Sequence, residues 1–261
     1  MPLVRDRCIC LRKLEYSETS QILWLFAREY GLVRLIAKGA HRRTKAGASK
    51  FDGGIDLLDL GDAVLSHAPE RDLCPLTEWH LVDGHLELRR SLRGMYLGLY
   101  AAELVSTLIE EHDPHPNLFD RLQQTLVDLA TARVEEAFLA FELDLLRETG
   151  YLPHLEACAQ CGSIPDERER IFFTPARAGL VCRNCEMTTP DRIEIDPRLI
   201  RLIQSLLRLP RSGAEVERLP RLTTHQTNPV NRIIAEHVEH MLTRRLRMPR
   251  YVLQRNGAPA L

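Results

Sequence analysis

The sequence predicts an α+β chain in two parts: a small β-barrel or sandwich, then a helical region interrupted by a metal-binding hairpin. Three observations predict it. Short apolar or alternating runs punctuated by glycines fill the first eighty or so residues, and three- and four-residue apolar spacing takes over from about residue 84. Two C-x-x-C pairs then stand twenty residues apart within the helical part. With 261 residues, 44% of them hydrophobic, the chain can bury the core of two or three compact domains.

The N-terminal strands are read at Cys8-Ile9-Cys10-Leu11, Ile22-Leu23-Trp24-Leu25-Phe26, Leu32-Val33-Arg34-Leu35-Ile36-Ala37 and Ala63-Val64-Leu65. Gly31, Gly39, Gly53-Gly54 and Gly61 mark their ends, and Tyr30-Gly31 reads as a tight hairpin turn in which glycine supplies a positive φ. Helical stripes follow at Leu92, Met95, Tyr96, Leu99 and Ala102, at Leu118, Leu122, Leu126 and Leu129, and at Phe138, Phe141, Leu145 and Leu146. Asp113-Pro114-His115-Pro116-Asn117 separates the first two, and Gly150 caps the third. Beyond the cysteine segment, Leu199, Ile203, Leu206 and Leu207 mark another helix. A last one is expected to start with Asn228 as N-cap and Pro229 in its first turn, and to bury Val230, Ile233, Ile234, His237, Val238, Met241, Leu242 and Leu246.

The strongest local signal is the cysteine quartet Cys158, Cys161, Cys182 and Cys185. Two thiolates three residues apart on a tight turn bind one tetrahedral ion from the same side, and a second turn returned by a hairpin completes the shell. Ile171-Phe172-Phe173 and Gly179-Leu180-Val181 read as that hairpin. A structural Zn2+ is expected, with iron as the alternative, because soft thiolates accept both. Four thiolates leave no open position for substrate. Cys8, Cys10 and Cys74 are read as small core residues.

Net charge is −1, yet its distribution is uneven. Residues 1–50 hold eleven Lys/Arg against four Asp/Glu, residues 51–90 three against nine, and residues 241–261 five arginines and no acid. Arg34, Ile36 and Lys38 share one strand face opposite Val33, Leu35 and Ala37, and the strand runs into a long cationic loop with Arg42, Arg43, Lys45 and Lys50. Such a loop beside a barrel can follow a phosphate backbone, or simply be solvated. Trp24, Phe26, Tyr30 and Phe51 are read mainly as core, with stacking as the other role. Arg244, Arg245, Arg247 and Arg250 either extend the basic surface or complement a helix dipole. No P-loop, nucleophile elbow or zincin motif occurs, so no catalytic residues are assigned. Asp52, Asp56 and Asp62 as a nuclease metal site rank below a solvated strand edge. No stretch is apolar enough to span a membrane and the N-terminus lacks a secretory pattern, so a cytoplasmic protein is expected.

Several segments together resemble the RecO family. These are Ser17-Glu18-Thr19-Ser20, Leu25-Phe26-Ala27-Arg28-Glu29-Tyr30-Gly31, Val33-Arg34-Leu35-Ile36-Ala37-Lys38-Gly39-Ala40, Pro75-Leu76-Thr77-Glu78, Leu145-Leu146-Arg147-Glu148-Thr149-Gly150-Tyr151-Leu152-Pro153, the cysteine quartet and Arg245-Leu246-Arg247-Met248-Pro249-Arg250-Tyr251. The match is collinear over about residues 5–252. It implies an N-terminal OB-fold (1–83), a helical domain (84–154 and 191–252), a zinc module between them (155–190) and a tail (253–261). It also implies binding of single- and double-stranded DNA, strand annealing, and help in loading RecA onto strands coated by single-strand-binding protein. RecR and RecF are the further partners implied. Ser49-Lys50-Phe51-Asp52-Gly53-Gly54 departs from the family's pattern, and the acidic stretch 51–90 is the best support for the rival reading, a protein-interaction adaptor without DNA affinity.

Overall fold

The computed structural model describes residues 3–40, 50–51, 54–66, 70–166, 168–208 and 219–253. It divides into two compact units, Met1–Val134 and Glu135–Leu261.

Unit 1 begins with five strands: β1 (Leu3–Ser17), β2 (Ser20–Ala27), β3 (Gly31–Ala37), β4 (Leu60–Ser66) and β5 (Cys74–Asp83). They close a barrel in the order β1-β2-β3-β5-β4, all neighbours antiparallel except β3 and β5. This is the small barrel read from the strand pattern, and it accords with the OB-fold that the RecO resemblance implies. Side chains alternate as a strand requires: Leu23, Leu25, Val33, Leu35, Ala63 and Leu65 point inward, and Cys8, Cys10 and Cys74 join them as core residues. Burial pushes the Cys8 and Cys10 thiols up, so they stay neutral. Gly61 makes room for Trp79, since a Cβ at Gly61 would lie 2.4 Å from the indole ring.

The β2–β3 turn runs through Arg28, Glu29 and Tyr30 and ends on Gly31 at φ 69°. A side chain there would also strike the Asp113 carbonyl at 2.3 Å, so both backbone and space demand glycine. Three helices follow, α1 (Leu86–Arg90), α2 (Leu92–Leu108) and α3 (Pro116–Asp128). Ser91 caps α2 by accepting from Gly94 N, and Pro116 opens α3. Phe119 on α3 packs against Phe26 with centroids 5.7 Å apart, and Arg28 donates two hydrogen bonds of 2.8 Å to Asp120. Helix α3 thus covers the end of the outer β2–β3 surface that carries Phe26 and Arg28.

Unit 2 contains α4 (Val134–Glu148), a four-stranded sheet of β6 (His154–Cys158), β7 (Ile171–Thr174), β8 (Gly179–Val181) and β9 (Ile193–Ile195), then α5 (Pro197–Arg208), α6 (Thr224–Leu242) and α7 (Pro249–Val252). The sheet order is β6-β8-β7-β9. The end of α4 is a Schellman cap: Tyr151 N donates to Leu146 O and Gly150 N to Arg147 O, with Gly150 at φ 78°. His237 is packed and bonded as expected, its Nε2 2.8 Å from Tyr151 O.

Two expectations need correction. Helix α6 starts at Thr224 with Thr223 as N-cap in a capping box with Gln226, so Pro229 lies inside the helix. The earlier start is fixed from α4, where Glu135 accepts from Thr224 and Thr227, and Glu136 accepts from Leu222 N. Met241 is 46% exposed, because Thr243 at φ 50° ends the helix before the stripe completes another turn.

Glu142 is wholly buried, with the Asn231 amide 3.2 Å away and oriented to donate. Burial holds its carboxyl well above the ordinary glutamate range. The folded chain therefore keeps a proton that the unfolded chain releases. The stability that this proton contributes is complete below the ordinary glutamate pKa and is lost as pH rises through the raised folded value. Glu142→Gln should raise the melting temperature at neutral pH and flatten this part of the pH dependence; a variant that melts lower at neutral pH would show that the carboxylate is charged in the fold.

Candidate metal centre and nucleic-acid interface

The four predicted cysteines converge. Cys158 ends β6, and a tight turn closed by Gly162 N donating to Cys158 O brings Cys161 back beside it. Gly162 at φ 74° allows that turn. The predicted hairpin forms as β7 and β8, with Phe173 opposite Leu180. It delivers Cys182 and then Cys185, which sits in a short 3-10 helix, Arg183–Thr188. All four Sγ atoms lie within 4.8 Å of one another, and Cys161 Sγ is 3.7 Å from Cys182 Sγ. Metal–sulfur bonds of about 2.3 Å in a tetrahedron put sulfurs about 3.8 Å apart, so the spacing suits one ion.

The sulfurs are prepared unequally. Ser163 hydrogen bonds lower the Cys161 thiol to about 6. Burial opposes ionisation of Cys158, but backbone N–H groups of Cys182, Cys161 and Gln160 outweigh it and lower that thiol. Burial and the surrounding sulfurs push Cys185 up to about 12. Four thiolates this close repel one another, and a cation bound among them would offset that repulsion. The two knuckles are also tied directly: Gln160 Nε2 donates to Thr188 Oγ1 at 2.9 Å and Gln160 Oε1 accepts from Thr189 Oγ1 at 3.2 Å. Phe172 and Val181 pack beneath, with Arg170 and Arg192 over the Phe172 ring.

On the barrel, Arg34 and Lys38 lie on the outer side of β3, while Val33, Leu35 and Ala37 are buried as expected. Trp24, read as core, instead stands half-buried on the outer face. Arg12 and Arg34 pair with it from the two flanking strands, with guanidinium carbons 4.5 and 5.1 Å from its ring centroid. The neighbours differ: Phe26, on the same side of β2, packs against Phe119, whereas Trp24 is flanked by Arg12 and Arg34. The next row is Leu14, Ile22 and Ile36 by register, with Leu14 half-exposed. Tyr16, 65% exposed, then joins Ile36, Lys38 and Lys50 in lining a groove of about 460 Å³.

Sequence reasoning missed Arg12 and Tyr16. Simple alternation from Cys8 and Cys10 turns Arg12 inward, but a bulge between Cys10 and Arg12 shifts the register by one and turns it out. Arg42, Arg43 and Lys45 lie outside the described residues.

The acids are engaged. Asp56 bonds Lys13 at 2.9 Å, buried Asp59 bonds Arg89 at 2.9 Å, and Asp62 pairs with Arg7. Burial pushes Asp59 up; against burial, the Lys13 hydrogen bond holds Asp56 low. Asp52 lies outside the described residues, and among these the cysteine quartet is the sole cluster able to hold a metal.

Residues 1–85 match the family profile described as recombination protein O N terminal, and residues 89–249 match recombination protein O C terminal. The DNA repair protein RecO of Anaeromyxobacter dehalogenans strain 2CP-C is 31% identical over 253 residues, 97% of this chain and 96% of that one. The chain belongs to the RecO family. The RecO of Myxococcus xanthus is 29% identical across 91% of this chain and 93% of its own, and that of Salinibacter ruber 31% across 79% and 86%. The family thus spans both the barrel and the cysteine module. Among the described residues, no helix is long and apolar enough to cross a membrane.

Cobalt(II) should bind in one equivalent and give the absorption of a tetrahedral thiolate centre. Cys161→Ser and Cys185→Ser should each abolish or strongly weaken that signal, whereas Cys74→Ser should leave it intact. Equal signals in all four proteins would remove the metal centre.

Proposed function

We propose that this protein is a non-enzymatic mediator of recombinational DNA repair that holds DNA on the outer β2–β3 face of its barrel. The observation that carries this reading is the Arg12–Trp24–Arg34 array on an OB-fold in a RecO-family chain. The strand 2–3 face is where such barrels take oligonucleotides. Guanidinium groups flanking an indole offer phosphate contacts and a flat surface for a base. Arg34, Lys38 and Lys50 continue the positive edge, and Arg42, Arg43 and Lys45 lie between the last two in the sequence. Tyr16 and Leu14 add apolar area, which suits single strands whose bases are unstacked.

In the same reading, residues 1–83 are the DNA-binding domain, residues 84–154 and 191–252 the helical domain, residues 155–190 the metal module and residues 253–261 a tail. Cys158, Cys161, Cys182 and Cys185 hold a structural Zn2+, the metal best suited to four thiolates in a tetrahedron. The protein anneals single strands and helps load RecA onto DNA coated by single-strand-binding protein, in the cytoplasm, with RecR and RecF as further partners. Unit 2 has a cleft of about 720 Å³ with Arg147, Arg177 and Arg208 beside Leu152, Pro153 and Leu207. Cations next to apolar side chains suit the acidic tail of single-strand-binding protein. The adaptor alternative drew on the acidic stretch 51–90; three of its nine acids, Asp56, Asp59 and Asp62, are engaged by Lys13, Arg89 and Arg7, which weakens that support.

Affinity for single-stranded DNA should fall steeply with salt, with a log–log slope of about −0.7 per phosphate contacted. Arg42→Glu/Arg43→Glu/Lys45→Glu should collapse binding, and Trp24→Ala should weaken it by about 1–3 kcal/mol through lost stacking. Salt-independent binding, or wild-type affinity in the charge-reversal variant, would sink this reading.

A further inference from the structure

Resting on the barrel as one DNA-binding surface, we infer that the arginine-rich end of α6 is a second nucleic-acid contact, which receives the other strand during annealing. After Leu242, Thr243 turns the chain through a left-handed conformation, and Arg244 N donates to Glu239 O. Leu246 is buried and its N–H donates to Glu239 Oε1 at 2.8 Å; Val252 at the end of α7 is buried as well. Between these two anchors the side chains of Arg244, Arg245, Arg247 and Arg250 are all exposed. Tyr251 is half-exposed, and the Arg250 guanidinium lies 4.6 Å from its ring centroid and donates to its hydroxyl at 2.7 Å.

Holding cations close together on an anchored segment costs self-repulsion. The dipole of α6 offsets part of it, but that effect fades within the last turn, so Arg247 and Arg250 lie beyond its reach. Four exposed arginines spread over seven residues suit a polyanion better than a single phosphate. The arginine-backed Tyr251 ring repeats the chemistry of Arg12, Trp24 and Arg34, a cation beside an aromatic plane, which takes a nucleobase. An acidic peptide would need the charge but not the plane. Annealing requires two strands that repel each other to come together. The barrel carries one basic surface, and this segment gives unit 2 another.

The test uses the full, metal-loaded chain. Arg244→Glu/Arg245→Glu/Arg250→Glu and Tyr251→Ala are compared with wild type, with unchanged circular dichroism melts as the check on folding. Affinity for a single strand of about ten nucleotides, short enough to occupy one site, should stay within about twofold. The rate of annealing two long complementary strands should fall by about tenfold or more in the charge-reversal variant, and Arg→Lys at the three positions should restore much of it. Annealing at the wild-type rate would overturn the inference. So would a loss of short-strand affinity as large as the loss in annealing, since the segment would then belong to the first strand's site. A variant that anneals normally but loses hold of an acidic peptide would assign the segment to a protein partner instead. A wild-type chain that binds no short strand would remove the barrel reading together with this one, a result distinct from intact short-strand binding with intact annealing.

Discussion

Trp79 can occupy the inside of a five-stranded barrel only because Gly61 has no side chain. The indole lies over Gly61 of the paired strand, where a Cβ would strike its ring, so the β4–β5 pair tolerates Trp79 only with glycine at that position. The β4–β5 pair in turn closes the barrel, pairing with β1 on one side and, through a parallel run of Leu35, Ile36 and Ala37 with Cys74, Pro75 and Leu76, with β3 on the other. Trp79 N also donates to Lys50 O, so the same residue fixes the rim at which the groove of Tyr16, Ile36 and Lys38 begins. Interior packing and exterior chemistry are linked in this way: strand positions with small or apolar residues inside put arginines and an indole outside at the alternate positions.

Much of this was legible in the residues. Period-two alternation in β3 placed Arg34 and Lys38 outside, and the spacing of Cys158, Cys161, Cys182 and Cys185 described the metal centre down to its hairpin. What escaped notice was decided by contacts distant in sequence. Trp24 and Phe26 lie on the same side of β2; Phe119, more than ninety residues away in the chain, covers only the second. Arg12 is turned out by a bulge, which has no composition of its own. The start of α6 was misread because Asn228-Pro229 is a good local signal, while the competing signal at Thr223 gains its strength from carboxylates on α4. Strand β9, three residues long, exists because β7 offers an edge to it.

The uneven charge along the sequence is resolved differently in the two halves of unit 1. Three of the acids that follow the basic N-terminal segment are held by neighbouring cations. Asp56 and Asp59 are drawn to Lys13 and Arg89, and Asp62 to Arg7 across the β1–β4 pair. Arg12 and Arg34 are engaged by an aromatic ring instead, which leaves their positive charge undiminished. A net charge near zero therefore coexists with a surface of one sign.

The bridge made by Gln160 bears on which ions the cysteine module can accept. Its amide joins the turn carrying Cys158 and Cys161 to the segment carrying Cys185, through Thr188 and Thr189. Part of the ordering needed for coordination is therefore present in the polypeptide itself, and an arriving ion meets a cage of fixed dimensions. Such a cage discriminates by radius and by preferred shape: an ion that wants six oxygens finds neither the number nor the kind, and a larger soft ion must stretch the amide bridge to enter. Four soft sulfurs tied together in this way favour an ion that takes four thiolates in a tetrahedron over one that requires six oxygens.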